Sequence, residues 1–164
     1  MKRFFTQTFG VVGAIIEKDG KFLLAREAWR KGPDFGKWNQ PAGWLEVGED
    51  PIEAIKREVE EEAGYKFTPT HILGIYSLVR SDIAEALGGT PHALKIIFIG
   101  RISEDRNNHL HDDISETKWF SPEEIEEMRI DTLRDLDIKN EVRDYLAGKK
   151  YPLSLLRHTL QARG

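Results

Sequence analysis

The chain has 164 residues, a length that fits one domain of roughly 100–200 residues and can bury about 70% of its unfolded surface. It contains no cysteine, which excludes a disulfide scaffold, a cysteine-ligated zinc or iron–sulfur site and a cysteine nucleophile. With 24 Lys plus Arg against 28 Asp plus Glu, a net charge of −4 and 40% apolar residues, it reads as a globular protein, and no broad nucleic-acid-binding face is expected.

Lys2 and Arg3 precede an apolar stretch, Phe9 to Ile16, but Gly10 and Gly13 interrupt it and Glu17-Lys18-Asp19 follow at once. A strand is expected there rather than an export signal. No apolar run approaches the roughly 20 residues of a membrane span, and a cytoplasmic location is the expectation. Residues 11–17 and 21–26 flank Asp19-Gly20, the pair that supplies the positive φ angles of a tight hairpin turn. Trp29 to Gly43 mixes glycine and proline with Trp29, Phe35 and Trp38, the mark of an ordered loop.

Residues 50–63 are predicted to form a helix. Asp50 suits the N-cap, Pro51 the first position, Glu53 a capping box and Gly64 the left-handed position past the end. Residues 71–79 and 93–101 read as strands, and Arg80 to His92 is long for a hairpin connection and suits a lid or substrate loop. Lys118-Trp119-Phe120 reads as a short strand running into a second capped helix start at Ser121-Pro122-Glu123-Glu124. Leu133, Leu136, Val142, Tyr145 and Leu146 suggest an amphipathic helix closed by Gly148. No linker or repeat interrupts residues 1–164, so a single domain is expected.

On the 50–63 helix, Ile52, Ile55, Val59 and Ala63 form an apolar stripe, and Glu58, Glu61 and Glu62 gather along its edge. Like charges at i+3 and i+4 repel, and anions near a helix C-terminus oppose its dipole. A hard divalent cation such as Mg²⁺, which takes carboxylate oxygens and shares its shell with phosphates, would resolve the conflict.

The full segment, GWLEVGEDPIEAIKREVEEEAGY at 43–65, resembles the Nudix box. Gly43 is followed after five residues by Glu49, after seven more by Arg57-Glu58, then Val59, Glu61-Glu62 and Gly64. Chance agreement at the Gly, Glu and Arg positions is on the order of one in a million. Tyr65 stands where an aliphatic residue is more usual. The resemblance to the Nudix hydrolases extends with falling specificity over residues 9–130. It implies an α/β fold, an α/β/α sandwich with a mixed curved β-sheet between the box helix and a C-terminal helix.

The implied activity is Mg²⁺-dependent (or Mn²⁺-dependent) hydrolysis of a phosphoanhydride bond, in a nucleoside di- or triphosphate or a nucleoside diphosphate linked to another group. Glu58, Glu61, Glu62 and the Gly43 carbonyl match the family's metal ligands. Arg57, with Glu49, matches the arginine that braces the loop and orients a metal-binding glutamate. For the general base, Glu58 and Glu61 stand beside Asp113, which precedes Trp119 where some relatives carry a glutamate; Asp112 and Glu116 are neighbours.

Arg26, Arg30, Lys37 and Arg80 are the basic residues expected nearest the cleft. Trp29, Phe35 and Trp38 suit either base stacking or packing, while His109 and His111 read as surface loop. WNQPAG with LE at 38–46, and Tyr151-Pro152-Leu153, resemble a Nudix phosphatase subgroup. Its members act on nucleoside tri- and diphosphates and on hydroxymethylpyrimidine pyrophosphate. A non-catalytic nucleotide-sensing module of the same fold would be expected to lose box carboxylates; this chain keeps them. The isomerase branch relies on a cysteine, absent here. The tail from Tyr151 to Leu160 has enough leucine to dock on a second subunit, giving a homodimer, or on its own core.

Overall fold

A computed structural model describes residues 8–161, so Lys2 and Arg3 lie outside the described residues. The first turn is the predicted one: Asp19 and Gly20 take φ of 53° and 75°. They join β1 (Thr8–Ile15) and β2 (Glu17–Lys18) to β3 (Lys21–Glu27). After the aromatic loop come β4 (Trp38–Asn39) and β5 (Ala42–Trp44), then α1 (Pro51–Ala63).

The ends of α1 are set locally. The Asp50 side chain accepts the Ile52 N–H at 2.8 Å, and Gly64 closes the helix at φ 76°. The expected capping box does not form, because the Glu53 carboxylate accepts instead from Lys56 one turn on, at 2.7 Å. Gly64 is needed for space as well as for φ, since a side chain there would strike the Asn107 carbonyl.

The next strands, β6 (Tyr65–Val79) and β7 (His92–Arg106), are longer than the sequence suggests. Register shifts lie on both sides of Pro69, where the missing N–H is tolerated, so β6 runs through it and begins six residues before the expected strand at 71–79. Between them, Arg80 to Pro91 folds into a 3₁₀ turn (Ser81–Ile83) and α2 (Ala84–Leu87), closed at its base by Arg80 N–H to Pro91 O at 2.9 Å. β8 (Ile114–Phe120) leads into α3 (Pro122–Glu127), where Ser121 and Glu124 form a reciprocal capping box.

The late helix is shorter than expected. α4 spans Ile138–Leu146 and is followed by β9 (Tyr151–Pro152). Leu133 is buried outside any helix, and Leu136 and Leu146 are exposed. The reason is tertiary: Leu133 bridges Trp38, and the Arg134 N–H donates to the Trp38 carbonyl at 2.9 Å, which keeps this segment extended.

Five strands form a mixed sheet in the order β5-β1-β7-β6-β9, parallel only between β1 and β7. A second sheet is built on β3, which pairs with β2, β4 and β8. Neighbouring strand residues point to opposite faces, so Phe98 joins a core with Ile55, Val59 and Ala63 of α1. Ile97 joins another with Leu133, Ile138 and Val142. The architecture is the expected α/β one, with α1 and α4 over the two cores. In the tail, Leu153 and Leu156 pack on the α1 core while Leu155 and Leu160 are exposed. Among the described residues no helix is long and apolar enough to cross a membrane.

Candidate active site

The stripe that anchors α1 in its core turns one edge of the helix toward β5. Glu58 on that edge is only 8% exposed, and its carboxylate lies against Gly43, where any side chain would collide with it. One turn on, the Glu62 carboxylate accepts the Ala42 N–H at 3.0 Å. Arg57 grips Glu49 in bidentate fashion, Nε at 2.8 Å and Nη2 at 3.1 Å. Its Nη1 reaches Glu58 at 2.7 Å and Glu61 at 3.2 Å. The loop ahead of the helix is thereby tied to the acidic edge through one guanidinium.

Electrostatics sharpen the picture. Burial pushes the Glu58 carboxyl above its ordinary pKa, and hydrogen bonding and charge from Arg57 oppose the rise. Burial pushes Glu62 up to about 8, against the Ala42 N–H and the charge of Arg134. Glu49 is held below the usual range by its hydrogen bonds from Arg57. Two carboxylates that burial drives toward protonation, on an oxygen-rich edge, form a site whose chemistry fits a hard cation, which would restore their ionised form. Among the described residues no three acidic or histidine side chains already enclose a common point. Glu58 and Glu61 each give Arg57 one carboxylate oxygen, Oε1 and Oε2 respectively.

Residues 6–139 match the NUDIX domain. The chain belongs to the Nudix hydrolase family. It is 32% identical over 148 residues to the protein named Phosphatase NudJ in Escherichia coli strain K12, with 88% of each chain covered. The Shigella sonnei protein of the same name is equally similar. Among solved structures, a NUDIX hydrolase from Nitrosomonas europaea superposes with TM-score 0.80 at 38% identity, covering 93% of this chain and 98% of that one. A MutT protein from Methanosarcina mazei Go1 gives 0.69 at 28%, covering 87% and 96%. This Nudix chain is therefore an enzyme, a pyrophosphohydrolase or phosphatase by family.

Beside the acidic edge this Nudix hydrolase has a cleft of about 240 Å³. Gly43, Glu27 and Arg134 line it, together with Trp29 and Phe35, each more than half exposed. Trp38 is excluded from the lining and packs edge-on against Phe120 at 4.9 Å. Of the basic residues singled out from the sequence, Arg80 lines the cleft but is bound to Asp34, Asp82 and Asp135. Lys37 pairs with Asp34 and lines a separate shallow groove. Arg26 pairs with Glu116 and lies over Trp38, and Arg30 is exposed outside the cleft.

Asp113 stands apart from the three glutamates. Its exposed carboxylate faces His111 at 3.4 Å, while its carbonyl accepts the Ala28 N–H. The loop carrying it is docked on α1 by the His111 N–H, which donates to the Glu61 carbonyl at 2.7 Å. His109 and His111 are exposed, as expected of surface residues.

Sequence reasoning missed the polar floor of the cleft. Lys95 has no exposed surface and lies within 3.0 Å of Asp135, Asp137 and Glu141. Gln40, two residues before Ala42, donates to Glu141 at 2.7 Å. A charge within ALKIIFIGR was the available signal, but its partners lie some 40 residues on.

Burial pushes Glu141 up to about 7, with Lys95 pulling it down. A carboxyl raised in the folded state contributes stability that is fully present below its unfolded pKa, near 4.5, and is lost as pH rises through 7. Denaturant melts from pH 4.5 to 8 are expected to show a fall on the order of 1–3 kcal/mol. That slope should flatten in Glu141→Gln; an equal slope in the variant assigns the effect elsewhere.

Proposed function

We propose that this enzyme is a Mg²⁺-dependent hydrolase of a phosphoanhydride bond in a nucleoside di- or triphosphate, or in a nucleoside diphosphate joined to another group. The observation that carries the reading is the seating of Glu58 against Gly43, beside Glu62 and Glu61, next to a cleft with exposed aromatic rings. Glu58, Glu61, Glu62 and the Gly43 backbone would hold the cation. When bound it neutralises phosphate charge and lowers the pKa of water.

The protein groups do the rest. Arg57 holds Glu58 and Glu61 in place while keeping Glu49 and its loop closed over the helix start. Glu61, its side chain 41% exposed against 11% for Glu58, accepts the proton as the water oxygen attacks phosphorus and the bridging P–O bond breaks. Trp29 and Phe35 offer flat faces to a base, which favours nucleotides over bare polyphosphates. The relatives named Phosphatase NudJ support a phosphatase, and the subgroup that the 38–46 segment resembles adds hydroxymethylpyrimidine pyrophosphate as a further substrate.

The test is phosphate release over a panel of nucleoside di- and triphosphates, nucleotide sugars and pyrimidine diphosphates, with Mg²⁺ and with excess EDTA. Release from nucleotides that EDTA abolishes is expected. Release that is indifferent to EDTA, or confined to non-nucleotide esters, overturns the reading.

A further inference from the structure

The cations around the cleft are unequal in what they have left to offer. The Arg80 side chain is 8% exposed and bound to three carboxylates; Lys95 shares one of these, Asp135, and is sealed in with Asp137 and Glu141 as well. Arg134 differs. Its side chain is 28% exposed, it lines the cleft, and its one side-chain hydrogen bond runs from Nη1 to Glu27. Asp34 is 3.8 Å from Nε, an ion pair but beyond hydrogen-bonding range. A guanidinium carries five N–H donors, so most of them are without a protein acceptor among the described residues.

Its place in the cleft is fixed. The Arg134 N–H is held by the Trp38 carbonyl, and its charge is close enough to Glu62 to pull that carboxyl's pKa down. Arg134 therefore lines the cleft with its charge felt at the acidic edge. In the same cleft Asn39, 3% exposed, donates from Nδ2 toward Asp135 while its Oδ1 has no partner. The cleft thus brings together Gly43, on which Glu58 is seated, a guanidinium with open donors, an unmatched acceptor and two exposed rings.

We propose that Arg134 binds the phosphate that remains on the organic group after cleavage, so that the recognised unit is a heterocyclic monophosphate whose ring donates an N–H to Asn39. The assignment rests on the proposed function for the position of the broken bond. A planar fork meets phosphate oxygens in pairs, which a lysine cannot do. Glu27 keeps the guanidinium aimed and leaves its remaining N–H groups for the ligand.

The test measures binding without turnover. In EDTA, isothermal titration compares AMP, GMP, CMP and UMP with their free nucleosides. At least one monophosphate is expected to bind the wild-type protein about ten- to a hundredfold more tightly than its nucleoside, the range of a charge-assisted hydrogen bond. Arg134→Gln should reduce that preference below about threefold, and Arg134→Lys should keep part of it. Because Arg134→Gln strands Glu27, the Glu27→Gln/Arg134→Gln pair is measured alongside, with thermal melts showing that it folds. A wild-type protein indifferent to the phosphate, or a folded variant that keeps the preference, overturns the proposal. Absence of hydrolysis with the Arg134-dependent preference intact would overturn the proposed function and leave only the recognition of a monophosphate by Arg134 standing.

Discussion

Glu61→Gln is expected to lower Mg²⁺-dependent phosphate release by about a thousandfold or more while leaving the melting temperature in metal-free buffer unchanged or slightly raised. Glu61 lies one turn from Glu58 and shares Arg57 with it. Amidation removes a like charge from a crowded helical edge, worth a few tenths of a kcal/mol. In the proposed mechanism it also removes a carboxylate that would hold the cation and take the water's proton. Charge stabilisation by a bound metal is worth several kcal/mol, and about 1.4 kcal/mol is a factor of ten in rate. The check pairs turnover with melting. Mg²⁺ should raise the wild-type melting temperature by mass action and barely move the variant. Full turnover in Glu61→Gln would remove the ligand assignment.

Gly43→Ala should be nearly as damaging and for a different reason. A Cβ at position 43 would occupy the space of the Glu58 carboxylate, and α1 cannot retreat, because Ala54, Ile55, Val59 and Ala63 have no exposed surface. Either the carboxylate leaves its position or β5 shifts. Overpacking of this kind costs about 1–3 kcal/mol, and displacing a ligand should lower turnover about a hundredfold or more. The double variant Gly43→Ala/Glu58→Ala separates the two effects. Stability should return while activity stays low, a coupling that a double-mutant cycle measures. Wild-type activity in Gly43→Ala would show that the close approach of strand and carboxylate has no catalytic role.

The features legible in the sequence were those set by neighbours within a few residues. Asp19-Gly20 could only be a tight turn, Asp50 and Gly64 bracketed α1, and Ser121 with Glu124 closed a capping box. The acidic edge was legible for a related reason: a helix places i+3 and i+4 side chains together whatever surrounds it. What it could not show was that Arg57 holds two of those glutamates together or that burial raises Glu58 and Glu62. Leu136 and Leu146 had the right spacing for an apolar stripe, yet the bridge from Leu133 to Trp38 keeps Leu136 outside α4, and Leu146 ends that helix exposed. Arg80 read as one of the basic residues nearest the cleft, and three carboxylates from separate segments claim it.

The residues around the cleft mark the division. Sequence alone determined the family motif, the ends of the box helix and the identity of its carboxylates, since each depends on local spacing and one helical period. Only the tertiary structure decided which cations are saturated and which remain open. Arg134 meets Glu27 across 107 positions, and Lys95 reaches Asp135 across 40. Pairings over such distances follow from how sheets and helices pack, and no local rule contains them.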